Sequence, residues 1–227
     1  MKNKELKISV IIRAYNSAKF ISKAVESALN QTLNKKHYEV LVVDDGSKDN
    51  TSDVLKRYNK KIRIIRQKNL GPATATNKGI LKSKGEYIIL LDSDDQFLPD
   101  ILEKMLSQFE NNQLIDFAYC DYFEKNGNTK KKISLKNNIF NSLACAIMFK
   151  KKLFNEVGLY DKNMIFGEYD LLIKLIKNKR IGKHIPVPLY IYNRIKNSLT
   201  SDSNMVETGI WQLKEKYGDV ADKIRSY

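Results

Sequence analysis

Only 2 cysteines, 2 histidines and 4 prolines occur among the 227 residues. Each scarcity removes a class of explanation. Cys120 and Cys145 lie in apolar contexts and cannot build a disulfide framework, so they read as buried free thiols of a reducing compartment. With His37 and His184 as the sole imidazoles, no Ser-His-Asp or Cys-His pair is evident. His37 reads as a loop or strand-edge residue and His184 as a residue near the Pro186 turn, neither as a metal ligand. The low proline and glycine content, set against 42% hydrophobic residues, excludes a disordered chain and predicts a packed core. No apolar run reaches transmembrane length, and Met1 to Lys7 is too polar for a signal peptide, which predicts a cytoplasmic protein. There is no internal repeat and no clear linker, so 1–227 reads as a single domain.

Phosphate-binding signatures are missing too. No G-x-G-x-x-G occurs, and in Asn69 to Gly79 the lysine, Lys78, precedes the glycine with no Ser or Thr following in register. What is abundant is lysine: the net charge is +14. Such a surface is either simply solvated or attracts anions such as nucleotide phosphates, anionic lipid headgroups or nucleic acid. The lysines are scattered and no RNA-module signature appears, so nucleic acid is not an expected partner.

The pattern of the first half is strand, polar loop, helix, repeated. Ile8–Ile12, Tyr38–Val43, Ile62–Ile65, Tyr87–Leu91 and Ile115–Tyr119 are apolar, partly β-branched runs. Between them lie helically spaced segments such as Ala18–Leu29 and a small-residue stretch from Pro72 to Leu81, with Pro72 suited to a first helical turn. This alternation predicts an α/β fold with a mostly parallel sheet. Acidic residues end three of the runs: Asp44-Asp45, Asp92 and Asp121. In the second half, a hairpin is expected around Asn126-Gly127, a strand over Asn141–Phe149, helices over Lys150–Val157 and after Asp170, a chain break at Pro186 and Pro188, a strand over Leu189–Tyr192, and a helix near Val206–Tyr217.

The sharpest stretch is Gly85-Glu86-Tyr87-Ile88-Ile89-Leu90-Leu91-Asp92-Ser93-Asp94-Asp95. A buried strand runs straight into three carboxylates within four residues. Their mutual repulsion calls for compensation, and a hard divalent cation, Mg²⁺ or Mn²⁺, with substrate phosphates completing its shell, is the simplest candidate. A solvated acidic turn is the plainer alternative. In open α/β sheets the carboxyl ends of strands are where ligands bind, so a metal-diphosphate site at Asp92 and Asp94 is the working expectation.

Five segments together, I-S-V-I-I-R-A-Y-N (Ile8–Asn16), V-D-D-G-S-K-D-N-T (Val43–Thr51), N-L-G-P-A-T-A-T-N-K-G (Asn69–Gly79), the stretch above, and E-Y-D-L (Glu168–Leu171), resemble the family-two inverting glycosyltransferases of the Rossmann-like GT-A fold. The resemblance spans roughly Ile8 to Thr200 and implies a mixed, mostly parallel sheet flanked by helices. It implies a nucleotide-binding half over 1–120, an acceptor-binding half over 121–200 and a helical tail over 201–227. It also implies roles. Ala14, Tyr15, Asp45 and Asn69 line the base and ribose, and Thr76 stands where many relatives carry a diphosphate-contacting Arg. Asp92-Ser93-Asp94 is the D-x-D motif, with Asp94 on the metal and Asp92 supporting the metal or holding ribose. Glu168 falls at the catalytic base.

The implied activity is sugar transfer from a nucleotide sugar, a UDP-sugar by analogy, to a hydroxyl of a glycan or lipid-linked glycan in surface polysaccharide synthesis. Peripheral contact with anionic membrane is part of that expectation. A non-catalytic nucleotide- or glycan-binding relative is the alternative. Departures from the family pattern are Arg13 in place of Pro, which contacts the nucleotide or is merely tolerated; Gly167 in place of Glu; Thr76; and Ile195 near the place of a His, where either Arg194 or Lys196 substitutes or the closed site is built differently.

Overall fold

A computed structural model describes residues 6–136, 138–195 and 203–218. Lys196 and, of the expected tail, 201–202 and 219–227 lie outside the described residues. The first half builds as its alternation predicts: β1 (Ile8–Ala14), α1 (Ile21–Leu29), β2 (Tyr38–Asp44), α2 (Thr51–Lys56), β3 (Arg63–Arg66), α3 (Pro72–Lys82) and β4 (Tyr87–Asp92). β1, β2 and β4 are nearly completely buried up to their last residues, as strands covered on both faces must be. β3, β2, β1 and β4 lie side by side, all parallel, so their carboxyl ends form one rim.

The small residues of α3 have a packing reason. A Cβ on Gly79 would sit 2.4 Å from Ile11 Cγ2, so the helix lies on β1 with almost no side chain between. Gly46, just past β2, combines φ +77° with a virtual Cβ 2.7 Å from the backbone nitrogen of Asn69. No other residue type meets both demands without strain.

Beyond β4 come β5 (Gln96–Phe97), α4 (Ile101–Asn111), β6 (Phe117–Asn126), β7 (Thr129–Ile133), β8 (Ile147–Lys150), α5 (Leu153–Val157), α6 (Gly167–Lys177), β9 (Gly182–Asn193) and α7 (Ser203–Tyr217). The sheet continues from β4 through β8, β6 and β9 to β5, with β7 paired on β6. β6 and β9 are parallel, whereas β8, β5 and β7 enter antiparallel, so the sheet is mixed.

Three expectations for the second half change. The apolar run from Asn141 is a strand only over Ile147–Lys150; before it the chain makes single 3₁₀ turns at Ile139–Asn141 and Ala144–Ala146. The strand begun near Ile115 continues to Asn126, so Asp121 lies inside it rather than at its end. The prolines do not break the chain: β9 runs through Pro186 and Pro188, with register shifts opposite Cys120 to Tyr122. There β9 is paired only with β6, because β5 reaches it only at Tyr190 and Ile191, so neither proline must donate to a second neighbour. Both cysteines are buried free thiols, as expected. No described helix is long and apolar enough to cross a membrane.

Candidate active site

The parallel register of β1 and β4 places Arg13 directly opposite Asp92 at the carboxyl rim. Their side chains meet in a fork: Arg13 Nε donates to Asp92 Oδ1 and Nη2 to Oδ2, the latter at 3.1 Å. The buried Cys145 thiol is a further influence that favours the charged form of this carboxylate. Burial works to raise Asp92, but the adjacent guanidinium prevails and holds it below the usual carboxylate range. Arg13 is opposed by burial and held above its ordinary value chiefly by Asp92. Each oxygen of Asp92 therefore accepts one hydrogen bond from the guanidinium.

Its two acidic neighbours fare differently. Asp95 is 2% exposed and serves the fold: it accepts from Tyr190 Oη at 2.7 Å and from the Asn193 backbone at 2.7 Å, tying β9 to the rim. Burial, then the charges of Asp92 and Asp94, push it well above its ordinary value. Asp94 is half-buried, and among the described residues its carboxylate has no Lys or Arg in ion-pair contact. Burial, then Asp92, push it up to about 6. Its backbone is fixed meanwhile, since Asn193 Nδ2 donates to the Asp94 carbonyl at 2.6 Å and Ser93 Oγ bonds Ser17 Oγ at 2.7 Å.

A carboxylate so placed, short of positive charge, fits one face of a hard divalent cation. No group of three or more His, Cys, Asp or Glu among the described residues is arranged to hold a metal unaided. An ion here would draw most of its shell from substrate phosphate and water. Of the two expected ligands, Asp92 accepts from Arg13 and Asp94 pairs with no described Lys or Arg.

The other strand ends supply the rest of the rim. Ala14 ends β1, and its carbonyl accepts from the Asp45 backbone at 2.8 Å, joining the two rim loops. Tyr15 beside it is exposed at 42%. Asp45, 4% exposed, accepts from Gln67 Nε2 at 2.7 Å, from the Leu70 backbone at 3.0 Å and from the Gly71 backbone at 2.9 Å. Of a carboxylate's roughly four lone-pair directions this leaves about one for a ligand. The same loop holds Asn69 exposed beside Gly46. Thr76, by contrast, has no exposed surface, and its hydroxyl donates back to the Pro72 carbonyl at 2.9 Å. The geometry does not bring Thr76 to the cleft: helix α3 packs so tightly on β1 that its face toward the sheet is sealed.

Glu168 lies in the first turn of α6 and is half-buried. Burial raises it above its ordinary range, Arg13 pulls it back, and Asp92 pushes it further. The electrostatic coupling places Glu168, Arg13 and Asp92 in one neighbourhood, although their residues lie far apart in sequence. Asp170, two residues on, faces away into the fold. It is fully buried and paired with Lys174 at 2.6 Å, Lys216 at 2.7 Å and Tyr217 Oη at 2.6 Å, so it fastens α7 to α6. Arg194 pairs with Glu124 at 3.0 Å, committing it to the β6–β9 seam rather than to the place of the absent histidine. His184 is buried against Asp121 at 2.8 Å and stacked on Tyr119, a structural pairing away from the acidic rim.

Sequence reasoning noticed Arg13 only as a departure, and did not foresee Cys145, Tyr160, Tyr190 or Asn193 near these carboxylates. Burial pushes Tyr160 far up, with Cys145, Arg13, Glu168 and Asp92 among its electrostatic neighbours. One signal was readable: a charged residue near the end of an otherwise apolar strand needs a partner at the same level of a neighbouring strand.

The family model described as "Glycosyl transferase family 2" matches residues 9–169. An uncharacterized glycosyltransferase of Rickettsia typhi is 30% identical over 92% of this chain and 68% of its own length. One from Rickettsia bellii is 37% identical over 73% of this chain but only 25% of its own length, so the chain spans about a quarter of that relative. Among solved structures, S. aureus TarS 1-349 in complex with UDP-GlcNAc superposes with a TM-score of 0.74 at 20% identity, covering 96% of this chain and 70% of that one. Mannosyltransferase PcManGT from Pyrobaculum calidifontis, in complex with GDP-Man and Mn²⁺, gives 0.71 at 16% identity, covering 97% and 65%. These likenesses establish a GT-A architecture. Taken with the family match over most of its length, they show that this chain belongs to glycosyl transferase family 2.

Proposed function

We propose that this chain is a metal-assisted, inverting glycosyltransferase. It transfers a hexosyl or N-acetylhexosaminyl group from a nucleoside diphosphate sugar, preferentially a UDP-sugar, to an acceptor hydroxyl. The observation that carries the reading is Asp94: a fixed, half-buried carboxylate at the strand rim with no Lys or Arg paired to it among the described residues. A divalent cation bound there supplies Lewis-acid stabilisation of charge on the departing diphosphate. Mn²⁺ beside GDP-Man in one fold neighbour and UDP-GlcNAc in another support both the cofactor class and the donor class.

The protein's own contribution is positioning and proton transfer. Asp45 shapes the 67–71 loop so that Ala14, Tyr15 and Asn69 border the space for base and ribose. Glu168 takes the proton of the acceptor hydroxyl as its oxygen bonds to the anomeric carbon from the side opposite the leaving group. The anomeric carbon–phosphate oxygen bond breaks, the nucleoside diphosphate leaves, and no enzyme-bound sugar forms. Arg13 helps keep Glu168 ionised in its half-buried place. The acceptor we propose is a glycan or lipid-linked glycan of the cell surface, reached from the cytoplasmic face by peripheral contact of the Lys-rich surface with anionic lipid.

The test is nucleoside-diphosphate release across a panel of nucleotide sugars with Mn²⁺ and with EDTA. Glu168→Gln is expected to lower turnover by about 10²–10⁴-fold while donor binding persists. Wild-type-like turnover by that variant removes Glu168 as the base, and no release from any donor favours a binding-only relative. Salt-sensitive co-sedimentation with anionic liposomes tests the membrane contact.

A further inference from the structure

β7 reads Thr129-Lys130-Lys131-Lys132-Ile133 and, among the described residues, pairs only with β6, so it is an edge strand. The antiparallel register sets Lys132 opposite Phe123 and Lys130 opposite Lys125, so these four side chains share one face. Lys130 Nζ lies over the Phe123 ring, 4.0 Å from its centroid. Lys131 falls on the other face opposite Glu124, which pairs with Arg194. The two faces of the ribbon from Tyr122 to Ile133 therefore differ. One carries its single carboxylate, Glu124. The other carries three exposed lysines, none in ion-pair contact with an Asp or Glu among the described residues.

The lysine face is also the face of the candidate active site. Along β6, Phe117, Tyr119, Asp121, Phe123 and Lys125 alternate onto one side, and Asp121 agrees with this count by bonding His184, which stacks on Tyr119. Phe117 is in register with Phe149 of β8, and Phe149 with Ile88 of β4; Ile88, Leu90 and Asp92 share a side. The three lysines thus stand on the side of the sheet where Asp92 meets Arg13, with Glu168 coupled to that pair. Lys125 is in register with Asn193, whose side chain reaches the Asp94 carbonyl. At about 5 Å per strand, Lys125 lies about 10 Å from Asp94, backbone to backbone, and β7 about 5 Å further out. In the sheet order, β6 and β7 lie on the far side of β4 from β1 and β2, whose ends carry Ala14, Tyr15 and Asp45.

We propose that the face carrying Lys125, Lys130 and Lys132 binds the acceptor, and that the acceptor is an anionic glycan, one with negative charges along its chain. The acceptor hydroxyl sits at Glu168, and the charged groups beyond it run outward across β6 and β7. Charge complementarity carries the assignment. Three ammonium groups on flexible stems, with no carboxylate on their own face of the ribbon, attract a chain of negative charges without demanding a fixed spacing. A neutral glycan gains nothing from them. The inference rests on the glycosyltransferase reading above and narrows its acceptor.

The experiment is fluorescence anisotropy of labelled oligogalacturonate, with a neutral maltooligosaccharide of equal length as control, titrated with the purified full-length chain at about 0.15 M salt. Two triple variants lose the same charge. One carries Lys125→Gln, Lys130→Gln and Lys132→Gln. The other carries Lys35→Gln, Lys60→Gln and Lys61→Gln, exposed positions just before β2 and β3. Wild type is expected to bind oligogalacturonate about tenfold or more tightly than the neutral sugar. The first variant is expected to lose about fivefold or more of that affinity and the second less than about twofold, because a screening length of about 8 Å confines the attraction to nearby charges. Urea midpoints check that both remain folded. Lysines on an edge strand also hinder pairing with other chains. If the first variant self-associates, Lys125→Gln alone, off the edge, takes its place with an expected loss of about twofold.

Equal losses in the two triple variants reduce the binding to net charge and overturn the inference. So does a wild-type affinity for the neutral sugar as high as for oligogalacturonate. If the first variant loses co-sedimentation with phosphatidylglycerol vesicles but keeps oligogalacturonate binding, the face belongs to a membrane. If its UDP affinity falls as far as its oligogalacturonate affinity, the face belongs to the donor. In each of these cases the acceptor assignment fails while the glycosyltransferase reading stands. Failure of wild type to release nucleoside diphosphate from any donor removes that reading, and the acceptor assignment with it.

Discussion

Replacing Asp45 by Asn keeps the side chain's size and shape, and so isolates what its charge and its second oxygen contribute. The carboxylate accepts three hydrogen bonds, from Gln67 Nε2, Leu70 N and Gly71 N, at a position 4% exposed. An asparagine offers a single oxygen. With that oxygen in the place of Oδ1, the Gly71 N–H faces an amide NH₂. With the oxygen in the place of Oδ2, the Leu70 N–H does. In either rotamer one backbone donor is left facing another donor. A hydrogen bond to a charged group contributes about 1.5–3 kcal/mol, and those that remain fall to about 1 kcal/mol each. The net cost is therefore about 3–5 kcal/mol.

That is a large fraction of the roughly 5–15 kcal/mol that holds an ordinary domain together, but not all of it. Urea unfolding followed by far-UV circular dichroism should show the midpoint fall with an unchanged slope. Because the loop carries Asn69 and the exposed Leu70, UDP affinity should drop in the same variant. A loss below about 1 kcal/mol would refute the argument, since it would mean that the three donors find water as readily as they find the carboxylate.

Asp94→Asn should weaken Mn²⁺-dependent UDP binding by about tenfold or more without lowering the urea midpoint, because burial and Asp92 already oppose this charge and no described Lys or Arg pairs with it; calorimetry with and without EDTA reads the binding. Gly79→Ala should destabilise by about 1–2 kcal/mol despite alanine's better helix propensity, since its Cβ would lie 2.4 Å from Ile11 Cγ2; an unchanged melting temperature would show that α3 lifts freely from β1. Asp170 is opposed by burial but held below its ordinary value by Lys174, Lys216 and Tyr217. Its stabilising effect is present in full above the unfolded carboxylate value and is lost as pH falls through the depressed folded one. Urea midpoints should thus decline as pH falls below about 4, and Asp170→Asn, weaker at neutral pH, should decline less steeply; parallel curves would remove Asp170 as the source.

The order β1, α1, β2, α2, β3, α3, β4 was legible because its signal is local. Strands buried on both faces must be continuous apolar runs, and Pro72, Gly46 and the acidic strand ends punctuate them. The same locality brought out Asp45, Asp92 and Asp94 as residues to watch, and the resemblance to the family added Glu168. It failed where partners are distant in sequence. Nothing near Pro186 and Pro188 announced that β9 would run through them, because that depends on which sides of the strand β6 and β5 occupy. Nothing near Thr76 announced that its hydroxyl would turn inward to Pro72 and its surface vanish against the sheet.

By itself, then, the chain's periodicity determined a mostly parallel α/β architecture and set acidic residues at its strand ends, since hydrophobic burial and strand polarity act over a few residues at a time. Only the folded sheet decided how those carboxylates are spent: Asp92 on Arg13, Asp95 on Tyr190 and Asn193, Asp170 on α7, and Asp94 on no protein cation among the described residues. The reason is physical. A carboxylate's chemistry is set by the donors and charges within a few ångströms of it, and here nearly all of those come from strands and helices remote in sequence.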